Sequence, residues 1–291
     1  MIELFELPLR YFSAYLAAIA GANALRMTVW AVLFSAMLAV MAWLAKRHAL
    51  RPDWGRLAAI CACLAIGMNV SYESMAGAVP AVRAMRFDAE LLALDRWLLG
   101  ETPAIRLANL ATPWLTEILS LCYLCFMPLL FFSLLRYFFR RRELLGEFYA
   151  GLFTVYGLGF LGYLLVPAAG PWLAFPELFH TTLSGGPITA LTQTMVVQGS
   201  NRVDVWPSLH CAVSAFILGF AWRHQRSEFR YLLLPVVGLW FSTLYLRYHY
   251  AIDVLCGFAL AAFALHESSC YARMQILHHS GKKESDNAAA A

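Results

Sequence analysis

Trp206-Pro207-Ser208-Leu209-His210 opens an apolar run that continues through Cys211-Ala212-Val213 to Trp222. A second histidine stands in His249-Tyr250-Ala251-Ile252-Asp253, at the head of another apolar run that ends near His266. A titratable ring at the edge of a segment long enough to enter a bilayer is costly, and such residues usually mark function. The two stretches therefore set both the fold class and the place to look for chemistry.

Working outward, the rest of the chain has the same character. Of 291 residues, 61% are hydrophobic and only 14% charged, with a mean hydropathy of +0.62. Soluble domains carry roughly 25% charged residues. The composition predicts an all-α, polytopic membrane helical bundle with about seven spans. The spans read as Met27 to Ala45, Leu57 to Ala78, Pro113 to Phe138, Phe148 to Val166, Leu209 to Trp222, Tyr231 to Tyr248 and Ala251 to His266. The net charge of +4 sits in short loops, so it reports topology and gives no footprint for nucleic acid. The seven cysteines lie mostly inside apolar runs. They read as small buried hydrophobes, with no disulfide framework.

Residues 1–25 read as an uncleaved interfacial segment, 26–267 as one membrane-embedded catalytic domain, and 268–291 as a polar cytoplasmic tail. Residues 80–112 interleave charges with Leu91, Leu92, Leu94, Trp97, Leu98 and Leu99, a pattern suited to an amphipathic segment along the membrane surface. Residues 173–206 read as a long connection rich in Thr, Ser, Gly and Gln. Basic clusters at 46–56, 136–142, 223–230 and 273–283 fall on one side if the seven spans alternate. Basic loops are cytoplasmic. The junctions carrying Pro167–Trp172, His210 and His249 then share the opposite face.

His249 and Asp253 are four residues apart, which on a helix places them on one face within reach of each other. A carboxylate beside an imidazole orients the ring and stabilises its cation. Such a histidine can attack phosphorus through its free nitrogen and carry a covalent phosphohistidine. His210 would be the acid and base for the departing and incoming oxygens. Ser208 is a candidate helix N-cap, where free backbone N–H groups face an anion.

Pro207-Ser208-Leu209-His210 and His249-Tyr250-Ala251-Ile252-Asp253 together resemble the second and third motifs of the type 2 phosphatidic acid phosphatase superfamily. The H-Y-x-x-D form is similar to its lipid phosphotransferase branch, that of inositol phosphorylceramide and sphingomyelin synthases. Pro167-Ala168-Ala169-Gly170-Pro171-Trp172 resembles the P-x-A-P-P-W segment of the inositol phosphorylceramide synthases. The resemblance covers about residues 90–266 and implies a six-helix core. It also implies His249 as nucleophile, His210 as acid/base, Asp253 as its partner, and metal-independent turnover without a cofactor. The chain departs from the phosphatase branch in two places. The K-x-x-x-x-x-x-R-P motif has no counterpart near Pro167, and Thr243 stands where that branch has arginine. Phosphate contacts would then fall to Ser208, Arg202 and Arg247, since a guanidinium forks onto phosphate. Pro167, Gly170, Trp172 and Tyr245 are the candidate substrate-side residues, although Tyr245 reads more readily as an interfacial aromatic anchor.

The expected function is a membrane lipid phosphotransferase on the extracytoplasmic face. It would move a phosphorylated head group from a lipid to an alcohol. A lipid phosphatase, with water as acceptor, is the alternative within the same chemistry. A non-catalytic transporter or scaffold is the alternative outside it. A bacterial inner membrane, with the site facing the periplasm, is the expected location.

Overall fold

The computed structural model describes residues 52–290. The segment 1–25 and the span from Met27 to Ala45 lie outside the described residues. The chain divides into two compact units whose boundary falls between Ala84 and Met85. Among the described residues every regular element is helical. In the first unit, helix α1 runs Pro52–Val82 and covers the expected second span.

The second unit begins with α2 (Asp88–Leu99) and α3 (Pro103–Ala108). The buried face of α2 is Asp88, Leu91, Leu92 and Asp95. These are positions i, i+3, i+4 and i+7 of one helical stripe. Leu94, Trp97 and Leu98 point outward, with Trp97 80% exposed. On α2, then, two carboxylates face the protein and large apolar groups face away.

Helices α4 (Pro113–Leu124) and α5 (Phe126–Phe139) form the expected third span, broken at Cys125. Pro128, inside α5, has no N–H for the Leu124 carbonyl and crowds it, which accounts for a break one turn before it. A 3-10 turn at Arg142–Leu144 leads into α6 (Leu145–Leu165). Two short pieces follow, α7 (Pro171–Ala174) and a 3-10 turn at Pro176–Leu178. Then come α8 (Pro187–Gly199), α9 (Leu209–His224), α10 (Arg226–Tyr245) and α11 (Ala251–Ala290).

Among the described residues three stretches are long and apolar enough to cross a membrane: Pro113–Phe139, Arg142–Leu165 and Ala251–Gln275. Helix α9 has 16 residues, about 24 Å of helix at 1.5 Å per residue. Helix α9 is central, packing on α5, α6, α10 and α11. An aromatic cluster closes its C-terminal end. The ring of Phe148 lies 4.1 Å from Tyr137, 5.3 Å from Phe220 and 5.6 Å from Phe216, centroid to centroid. The Arg136–Glu228 ion pair ties α5 to α10.

The connection over 173–206 is not the irregular loop that its composition suggests, for it contains the 13-residue helix α8. The first N–H groups of a helix need acceptors. Here they find one on another helix. Glu117 of α4 accepts from the backbone N–H groups of Gly186, Ile188 and Thr189, and from the Thr189 hydroxyl.

Candidate active site

The Pro207–His210 turn sits deep between α6 and α11 because glycines line its bed. A Cβ on Gly162 of α6 would meet Pro207 Cδ at 2.3 Å, and one on Gly257 of α11 would meet the Ser208 carbonyl at 2.6 Å. The Trp206–Pro207 peptide is cis. Ser208 is the N-cap of α9, its hydroxyl accepting from the Cys211 N–H at 3.3 Å. Its own N–H donates to the Asp253 carbonyl at 3.1 Å. The two histidine-bearing stretches are therefore joined backbone to backbone.

The His210 and His249 rings have centroids 5.8 Å apart and are tilted by 63°. His210 also stacks on Tyr123 at 4.8 Å and lies against Phe126 at 4.5 Å. These aromatics belong to α4 and α5, so three helices and the turn before α11 meet around one ring pair. His249 is 3% exposed. Its Nδ1 lies 3.4 Å from Asp253 Oδ2, an oxygen that also accepts the Tyr250 N–H at 2.9 Å. Asp253 Oδ1 and His249 Nδ1 are buried and make no hydrogen bond. Nδ1 is turned to the carboxylate, and Nε2 is on the opposite side of the ring. Burial pushes the His249 imidazole down to about 4, against upward pulls from Asp204 and the Val205 backbone. The ring is accordingly neutral at ordinary pH.

The chain reverses between α10 and α11 through Arg247, whose φ is 68°. The Tyr248 and His249 N–H groups both return to the Thr243 carbonyl. The Thr243 hydroxyl donates to the Trp240 carbonyl, so this residue serves the turn. The Arg247 guanidinium donates to Thr181 Oγ1 at 2.9 Å and covers the Phe179 ring at 4.3 Å. Its Nε is buried without a partner. Arg202 also has a positive φ, at 59°, but is exposed; its backbone N–H donates to Ser200 Oγ.

The 167–172 turn lies directly against this reversal. The Trp172 N–H donates to the Arg247 carbonyl at 2.9 Å, and the Trp172 ring meets Tyr248 edge-on at 6.1 Å. Gly170 has φ 86°, and a Cβ there would stand 2.3 Å from the Tyr248 carbonyl oxygen. Both the backbone angle and the close approach call for glycine. The Pro167 carbonyl accepts from the Phe87 N–H at 2.9 Å. Tyr245 is 2% exposed, with its hydroxyl 2.9 Å from Thr116 Oγ1. It packs inside the bundle and does not anchor an interface.

Two residues that the motifs do not include hold the site together. Asp88 accepts from the N–H groups of Ala169 and Gly170 and from the Tyr250 hydroxyl. Asp95 caps α11, accepting from the N–H groups of Ala251 and Ile252 at 2.9 Å each and from Thr102 Oγ1 at 2.5 Å. In sequence, both look like charges that merely interrupt an apolar stretch. Their i, i+7 spacing on the stripe of Leu91 and Leu92 was the available signal. Among the residues described with their side chains, no group of three or more His, Cys, Asp or Glu is arranged to hold a metal ion.

Comparison with known proteins agrees with this geometry. A family model described as the PAP2 superfamily matches residues 89–266. A phosphoinositol dihydroceramide synthase from Bacteroides thetaiotaomicron is 30% identical over 154 residues, covering 48% of this chain and 50% of that protein. The chain thus aligns with about half the length of this curated relative. No solved structure matches significantly. The matched region runs from α2 into α11 and takes in both histidines and the turns that join them, so the chain is an integral membrane protein of the PAP2 superfamily, whose members are lipid phosphatases and phosphotransferases.

Proposed function

We propose that the protein is a lipid phosphotransferase that moves a phosphorylated head group through a phosphohistidine on His249, at the extracytoplasmic face. The observation that carries this reading is the His210–His249 pair, one ring from the first turn of α9 and one from the turn that leads into α11, with centroids 5.8 Å apart. That proximity lets one ring act on a phosphorus at the mouth of the pair while the other serves the departing oxygen. Nε2 of His249 attacks, and the bond from phosphorus to the lipid alcohol oxygen breaks. His210, protonated, delivers its proton to that oxygen. In the second half His210 takes the proton of the acceptor hydroxyl. The new oxygen bonds to phosphorus, and the phosphorus–nitrogen bond to His249 breaks. Asp253 holds the His249 ring and offsets the charge that grows on it.

Arg247 supplies the phosphate contact in this reading, through a guanidinium already placed by Thr181 and Phe179. The named product of the relative, a phosphoinositol dihydroceramide, supports transfer over hydrolysis. The substrates to try first are therefore an inositol phospholipid donor and a dihydroceramide acceptor. The basic clusters, taken as cytoplasmic loops, support a site on the opposite face, and so a bacterial inner membrane with a periplasmic site.

The test is a lipid panel in mixed detergent micelles with purified full-length protein. Mass spectrometry reads the products, for donors with and without an alcohol acceptor. Transfer predicts a new phosphodiester lipid that requires the acceptor. Release of phosphate or phosphorylated head group at the same rate without acceptor would establish a hydrolase instead. Turnover undiminished in His249→Ala would refute the nucleophile assignment.

A further inference from the structure

Asp88 belongs to neither histidine motif and takes no part in the steps above. It is 6% exposed and lies on the buried stripe of α2. Its Oδ1 accepts from Ala169 N at 3.0 Å, Gly170 N at 2.9 Å and the Tyr250 hydroxyl at 3.0 Å; Oδ2 shares the Ala169 N–H at 3.1 Å. One carboxylate thus grips two separate stretches of chain, the 167–172 turn and the residue that follows His249.

Tyr250 is fully buried and held at both ends. Its backbone N–H donates to Asp253 Oδ2 and its hydroxyl to Asp88 Oδ1. Around the two grips pack Leu91, Leu92, Ala168 and Val205, a small apolar core that also contains Tyr250. The direction of the chain at 249–250 sets where the His249 ring points. In the proposed transfer that ring must meet phosphorus in line, and a misplacement of about 1 Å costs on the order of 100-fold in rate.

We propose that Asp88 is a positioning residue for phosphotransfer, acting on His249 through the Tyr250 hydroxyl and on the facing turn through the Ala169 and Gly170 N–H groups. The proposal rests on the reading of His249 as nucleophile. It requires that loss of the Asp88–Tyr250 link lower turnover more than it weakens substrate binding, because neither residue is a substrate contact in this scheme.

The experiment measures kcat and donor KM in the mixed-micelle transfer assay for Tyr250→Phe, Asp88→Ala, Asp88→Asn and the double variant Asp88→Ala/Tyr250→Phe, all as full-length protein. Tyr250→Phe is expected to lower kcat about 10-fold with donor KM within about twofold, since only alignment is lost. Asp88→Ala should lose more. Asp88→Asn should regain most of that loss, because its amide oxygen can accept from the same three donors. The double variant should be no worse than Asp88→Ala, as expected when two residues act through one link. Wild-type kcat in Tyr250→Phe, or fully additive losses in the double variant, would overturn the proposal. If Asp88→Ala does not fold, Tyr250→Phe alone decides, since it leaves the bonds to the turn intact. A dead His249→Ala beside an unimpaired Tyr250→Phe would remove the positioning role and leave the nucleophile reading standing. An active His249→Ala would remove the nucleophile reading itself.

Discussion

The N–H of Ser208 donates to the carbonyl of Asp253 at 3.1 Å. These residues lie 45 positions apart in sequence, Ser208 at the N-cap of α9 and Asp253 in the first turn of α11. The bond fixes α9 against α11 at the height of the two rings, so the distance between His210 and His249 is a backbone property.

The close approach that allows this bond depends on Gly257. A Cβ there would stand 2.6 Å from the Ser208 carbonyl oxygen and 3.3 Å from the Ala212 nitrogen, both backbone atoms that cannot swing away. Gly257→Ala is expected to cost about 1–3 kcal/mol, the usual penalty for forcing extra volume into a packed site. The same change should lower turnover by separating the rings. The thermal unfolding midpoint in detergent and the transfer rate, measured together, check both.

Arg247 combines a left-handed backbone with a candidate phosphate contact, and the two roles can be separated. Glycine adopts φ 68° freely, whereas a side chain there costs about 1–2 kcal/mol. Arg247→Gly should therefore be at least as stable as Arg247→Ala by thermal denaturation. Both should raise the donor KM by about 10-fold or more if the guanidinium binds phosphate. Arg247→Lys should recover the charge but not the fork, leaving KM elevated. A KM unchanged in all three would exclude the contact.

Asp253 is expected to be needed for turnover and not for folding alone. Asp253→Asn keeps size and shape but removes the charge facing His249 Nδ1 at 3.4 Å. The loss of kcat should be on the order of 10³–10⁴, by analogy with other carboxylate–histidine pairs. The circular dichroism spectrum should stay helical.

Burial holds the His249 imidazole at about 4, below the ordinary histidine value of about 6.5. The sign for stability follows. Between those two values the unfolded chain binds a proton that the folded chain refuses, so stability falls as pH drops from about 6.5 to about 4. His249→Gln should flatten that part of the profile of unfolding midpoint against pH. The neutral nucleophile should also keep working below pH 6, without the acid limb that an unshifted imidazole would give.

Glu117 is expected to govern α8. It receives three backbone N–H groups and one hydroxyl at the start of that helix. Glu117→Ala should speed amide hydrogen exchange at 186–192 by about 10-fold or more, while exchange in α9 stays unchanged. Uniform exchange across both helices would show that α8 is held by other contacts.

The amino-acid sequence by itself determined the helical membrane class, because no other arrangement satisfies the backbone of runs this apolar. It also singled out the two histidines and the aspartate as candidates, because P-S-L-H and H-x-x-x-D are local patterns, although His249 stands in the turn ahead of α11 and not on the helix the spacing suggests. Tertiary structure alone decided the rest. Asp88, Asp95 and Glu117 look like ordinary surface charges in sequence, yet their partners lie 81, 156 and 69 residues away for the Ala169, Ala251 and Gly186 bonds. A carboxylate carries no sign in its own neighbourhood of which distant N–H groups it will cap. Helix α8 was hidden for the same reason, its N-terminal acceptor being on α4. Local periodicity encodes what each segment is; the pairing of buried donors with remote acceptors, which low dielectric makes obligatory, is set only when the chain has closed on itself.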